Sequence, residues 1–320
     1  MPFFSRSTTA FPRIPPWGRD PQDHCDHDRT RHPRLGRRRG LSVWLISLLV
    51  LCLSGGGAAW GSELGDRLAA FPTWSDRPPV HPANGDLHYP TWFEGTWEVR
   101  TTLEDLAAPL APDIISPGFE SNRTYLHQPI DFQARFVPER RGSAGWLPIK
   151  LSGAPLLVAD RAFNGANLAK AYLDDPTGAA KSPILAVKVD PENPNRQVTL
   201  LRGDRQLLST VTARITETPS AKEFLTCEIS QQEFRSTGSI YFNQVETTTA
   251  YVWADDPQNP LADDDPRIMA DQVTAIYLSP QDPDFFKAGD RTTPFLQASR
   301  PVALYRYHLE FRPVSPASRP

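Results

Sequence analysis

Cysteine and methionine are scarce, with three of the first and two of the second in 320 residues. Cys25 and Cys52 fall in the basic front of the chain, so the body keeps Cys227 alone. It forms no internal disulfide, and its stability has to come from a core. Catalytic signatures are lacking as well: there is no Gly-x-Ser-x-Gly elbow, no His-Glu-x-x-His helix and no Gly-rich phosphate loop. His81, His88, His127 and His308 share no metal-ligand spacing, and His24, Cys25 and His27 lie in the front segment. Neither a metal nor a cofactor is expected. Asp255, Asp256, Asp263, Asp264 and Asp265 lack the Asp-x-Asp-x-Asp-Gly order of a calcium loop and read as a solvated acidic loop.

Long apolar runs are also absent. Leu41 to Leu53 is charge-free but short for a membrane span, which needs about 20 residues. With the arginines before it and the small residues of "SGGGAAWGS" behind it, residues 1–61 read as a basic leader carrying a signal peptide, or an anchor if residues 41–60 stay uncleaved. The stretch before Arg37 is foreign to an export signal and fits a start placed too far upstream. Nine arginines against four aspartates give residues 1–40 a charge of +5, so the net of −3 leaves −8 for residues 62–320. An acidic body excludes general nucleic-acid binding, whose affinity comes from cations on phosphate.

Proline is what the chain has in excess: 33 residues, about twice the usual share. Pro72, Pro78, Pro79, Pro82 and Pro90 make residues 62–90 an extended arm, because proline at that density opposes helix and ladder pairing. Beyond it the period is two. In "IDFQARFV" Ile130, Phe132, Ala134 and Phe136 take one face and Asp131, Gln133 and Arg135 the other. With "WFEGTWEVRTTL" ahead and "ILAVKVD", "QVTLLRG", "LLSTVTARITET", "EFLTCEISQQEF", "GSIYFNQVETTTAYVWA", "QVTAIYLSP" and "PVALYRYHLEF" behind, nine strands are expected, separated by turn signals. Only "DRAFNGANLAKAYLDD" is helical in pattern. Residues 91–314 therefore form one all-β antiparallel domain, with residues 315–320 a disordered tail.

In "FEGTWEV", Gly95 permits a bend or a close backbone approach, and Trp97 stands two residues on, on the same face. This Gly-x-Trp on the first strand resembles that of the calycins, the lipocalins and fatty-acid-binding proteins. The resemblance implies a single up-and-down lipocalin-like barrel of about eight or nine strands with one short helix, and an arginine, Arg306 or Arg312, packed over Trp97. Fatty-acid-binding proteins hold a carboxylate with Arg-x-Tyr, whereas Arg306-Tyr307-His308 stands here, so carboxylate recognition does not carry over. The segment from "YPTWFEGTWEV" to "RPVALYRYHLEF" also resembles a cyanobacterial and plastid family of exported proteins of unknown function, which implies a thylakoid-lumen or periplasmic address.

Trp97, Phe132, Phe136, Tyr241, Trp253, Tyr305 and Tyr307 are the candidates to line an apolar cup. The expectation is a non-enzymatic carrier of one small apolar molecule: a lipid, an isoprenoid or a pigment. Two alternatives stand beside it. One is a filled barrel serving as an assembly module for a thylakoid or envelope membrane complex, with Arg140, Arg141, Trp146 and Lys150 in a partner-facing loop. The other is a lipocalin-type enzyme acting on an apolar substrate, which requires an acid or base inside the cup. Which of Tyr305 and Arg306 points inward is open, because a one-residue bulge exchanges the faces.

Overall fold

A computed structural model describes residues 62–116, 118–139, 156–254, 262, 265–280, 285 and 300–314. The leader, the tail, Arg140, Arg141, Trp146, Lys150 and all of the acidic group except Asp265 lie outside the described residues.

All nine long strands expected from the alternation are present: β3 (Gly95–Ala107), β4 (Pro129–Pro138), β6 (Ile184–Asp190), β7 (Asn193–Leu201), β8 (Arg205–Ser220), β9 (Glu223–Ser236), β10 (Ser239–Trp253), β11 (Ile268–Leu278) and β12 (Ala303–Pro313). Three short ones were not expected: β1 (His81–Pro82), β2 (His88–Tyr89) and β5 (Leu157–Ala159). All twelve belong to one antiparallel sheet, ordered β2-β5-β4-β3-β12-β11-β10-β9-β8-β7-β6, with β1 beside β8. The first and last long strands, β3 and β12, are hydrogen-bonded neighbours, and the sheet curls into a half-barrel with more strands than expected.

Among the described residues no ladder joins β6 to the β2–β5 edge; α3 (Arg161–Leu173) packs on β4, β6 and β7 between the two ends of the sheet. Its first turn is made fast to the sheet. Asp160 caps the helix by accepting from the Phe163 amide at 3.1 Å and pairs with Arg135 at 2.6 Å. The Asn164 carboxamide then takes both backbone groups of Arg135, accepting from its N–H at 2.7 Å and donating to its carbonyl at 3.2 Å. A side chain thus extends the pairing of β4 one step past the end of β5, beside the Asp160 N–H that reaches the same Arg135 carbonyl at 2.9 Å.

The head of the arm is helical, where an extended segment was expected. The helix α1 (Glu63–Ala69) precedes the first proline of the arm and is capped by Ser62, which accepts from the Gly65 amide at 2.9 Å. It lies on the convex face of the sheet. Leu64 packs there with Leu225 and Cys227, and Leu68 and Trp74 with Val273, Ala275, Tyr277 and Leu304. A second short helix, α2 (Phe119–Asn122), follows β3.

Gly95 has φ +118° with open space around its missing side chain, so its purpose is the left-handed backbone at the start of β3. The alternation of β3 changes phase near its end, where Leu103 pairs with Tyr307 and Asp105 with Arg306, leaving Glu104 extra. This bulge lets Leu103 and Leu106, three apart, both face inward.

Candidate functional site

The concave face has two halves of opposite chemistry. At one end Phe93, fully buried, is ringed by Tyr89, Trp92, Phe136, Tyr251 and Phe311 at centroid distances from 4.3 to 6.4 Å. Trp97 stands edge-on to Trp253 and to Phe311, each at 6.5 Å, and its indole N–H donates to the Phe93 carbonyl at 2.7 Å. These contacts are those of a packed core, edge-to-face geometry included. Burial pushes the hydroxyls of Tyr89 and Tyr307 well above the ordinary phenol range, and that of Tyr251 to about 12.

Of the seven rings expected to line a cup, Trp97, Phe136, Tyr305 and Tyr307 are buried within this core, with Trp253 and Phe132 packed against it. Phe132 also borders a surface hollow of about 410 Å³ with Arg100, Asp131 and Arg312. Tyr305 accepts from the Asn122 amide at 3.1 Å. Tyr241 stands apart beside Phe234 on the β9–β10 hairpin. Both candidates for the one arginine expected over Trp97 face the other way. Arg306 grips Asp271 at 2.6 and 3.0 Å on the convex face, and Arg312 pairs at 2.7 Å with Glu310, two residues before it on the same strand face.

The other half of the concave face holds a cleft of about 270 Å³ between β7–β11 and α3. Its wall is made by the inward residues of five strands: Asn195 and Gln197 from β7, Ser209 and Val211 from β8, Glu228, Ser230 and Gln232 from β9, Val245 and Thr247 from β10, and Gln272 and Thr274 from β11. Arg161 and Leu168 of α3 close it from above. On β9 the alternation "LTCEISQ" thus turns Leu225 and Cys227 outward beneath the arm and the polar set inward. Cys227 is fully buried, and burial raises its thiol well above the ordinary range, as a small core residue rather than a nucleophile.

Charges in the cleft are mutually paired. Arg161 bridges Asp86 at 2.9 Å and Glu228 at 3.1 Å, and Arg214 reaches the same Glu228 oxygen at 3.1 Å and bonds Asn195. Burial alone would lower the Arg161 guanidinium; the attraction of Glu228 and Asp86 outweighs it, and the group is raised. Other groups have no such partner. The Gln232 side-chain carbonyl, the Arg214 Nε–H and both carboxamide atoms of Asn243, which sits opposite Gln232, are buried without a hydrogen bond from the protein. Gln232 is 6% exposed and Asn243 not at all.

Sequence reasoning missed this cleft because it looked for the lining of the interior among the aromatic rings. A signal was there: a solvated strand face is rich in Lys and Glu, whereas the inward positions 226 to 232 of β9 are Thr, Glu, Ser and Gln.

A family model described as a domain of unknown function (DUF6816) matches residues 82–315. No curated protein and no solved structure matches the chain.

Proposed function

We propose that this chain, which belongs to the DUF6816 family, is an exported, non-catalytic protein that binds one small polar molecule in the cleft between the concave face and α3. The observation that supports it best is the Gln232 side-chain carbonyl, buried in the wall of that cleft without a protein partner. Buried polar groups in folded proteins are hydrogen-bonded in the great majority of cases, so an exception in a hollow points to something that fills the hollow. The cleft wall carries one carboxylate, Glu228, shared by two arginines, among amides and hydroxyls. Such a set orients a guest; acid–base chemistry needs a group free to take or give a proton.

This reading moves the guest away from the aromatic half, whose rings fill their own space. The two are told apart by native mass spectrometry of the protein from its source. A small polar passenger at one per chain, retained by the Trp97→Phe variant and lost when Thr247→Phe narrows the cleft, is expected. An apolar passenger indifferent to Thr247→Phe would return the ligand to the aromatic half and sink the proposal.

A further inference from the structure

Resting on the binding reading above, we infer that the guest is a neutral polyhydroxylated molecule of about monosaccharide size, held around Gln232. Size comes first: a cleft of about 270 Å³ falls just below the range of about 300–1,000 Å³ of sites for drug-sized ligands. Charge comes second. Arg161, Arg214, Asp86 and Glu228 are two cations and two anions already paired at 2.9 to 3.1 Å. A charged guest would meet no surplus of the opposite sign and would have to break a buried pair to find one.

Hydrogen-bonding capacity comes third. Gln232 holds an unpartnered acceptor in the wall, Asn195, Gln197 and Gln272 add carboxamides, and Ser209, Ser230 and Thr247 supply hydroxyls that serve as donor or acceptor. A wall that offers donors and acceptors in mixture matches hydroxyl groups, which are both at once. A polyol reproduces the bonds of the waters it displaces, and so loses little by replacing them. Val211, Val245 and Leu168 give its C–H faces an apolar surface. Gly165 of α3 belongs to the same design: a methyl group there would come within 2.7 Å of the Gln197 carboxamide, so the glycine leaves that amide its place in the wall.

The test is calorimetric titration of the full-length chain with glucose, galactose, mannose and myo-inositol, and with glutamate, citrate and spermidine as charged molecules of similar size. At least one neutral polyol is expected to bind at one per chain, and no charged compound. Gln232→Leu should weaken the polyol about tenfold or more, the loss of about one good hydrogen bond, while leaving the unfolding midpoint unchanged or higher, because it removes an unpartnered buried carbonyl. Gly165→Ala should weaken it too, with helix propensity in its favour. Binding of a charged compound that Gln232→Leu weakens would overturn the polyol class and keep the cleft as a site. Polyol binding indifferent to Gln232→Leu would place the polyol elsewhere and overturn the inference. If neither set binds and Gln232→Leu only raises the midpoint, the cleft holds water alone, and both this inference and the binding reading fall.

Discussion

Replacing Arg67 by methionine tests how the arm is held to the half-barrel. Glu246 of β10 is fully buried on the convex face and is met by Arg67 Nε at 2.6 Å and Nη2 at 2.9 Å, by the Tyr277 hydroxyl at 2.8 Å and by the Thr248 hydroxyl at 2.9 Å. Burial alone would lower the Arg67 guanidinium, but its hydrogen bonds and attraction to Glu246 leave it raised. Arg67 also lies over the Trp74 ring at 3.9 Å. Arg67→Met keeps most of the side-chain volume and removes the charge, leaving a buried carboxylate with two hydroxyl donors. Breaking such a pair from one side costs about 3–5 kcal/mol, which for a domain of this size lowers the thermal midpoint by roughly 6–20 °C. Urea unfolding followed by tryptophan fluorescence measures it. The double variant Arg67→Met, Glu246→Leu should recover most of the loss, since apolar replacement of both members of a buried pair is often neutral or stabilising. A loss below about 1 kcal/mol for Arg67→Met, the size of an exposed pair, would refute the view that this ion pair anchors the arm.

Two further outcomes follow from the same packing. Phe93→Ala, at the fully buried centre of the ring cluster, should cost about 3–5 kcal/mol, and a loss under about 1 kcal/mol in urea unfolding would show that the cluster is not the core. Burial raises Tyr89, Tyr277, Tyr307 and the Cys227 thiol above their ordinary values of 10.0 and 9.0. Above those values the unfolded chain gives up protons that the folded chain keeps. The stability they supply is therefore whole at neutral pH and falls as pH rises past about 9, by about 1.4 kcal/mol per pH unit for each group. Urea midpoints that hold level up to pH ~11, or rise, would contradict the burial of these groups.

Much of the fold was legible in the amino-acid order. Period-two alternation named nine long strands, and a helical spacing named α3, because strands with two unlike faces write that contrast every second residue. The bulge between Leu103 and Leu106 was not read from the alternation, because an extra residue shows only against the partner strand it fails to pair with. Strands of two or three residues, β1, β2 and β5, hold too few positions to show a period. The head of the arm was misjudged because prolines later in the segment outweighed Ser62 and the seven residues it caps.

The chain by itself thus determined the class of the fold, the strand count to within the short edges, and the identity of each strand's two faces. Only the tertiary structure decided which face is inside. In a closed barrel the apolar face must turn inward, but here Leu64, Leu68 and Trp74 cover the convex side of β9 to β12, so Leu225, Cys227 and Val273 find burial outward. That cover leaves Glu228, Ser230 and Gln232 to line the interior, a choice that alternation cannot express because it is symmetric between the faces.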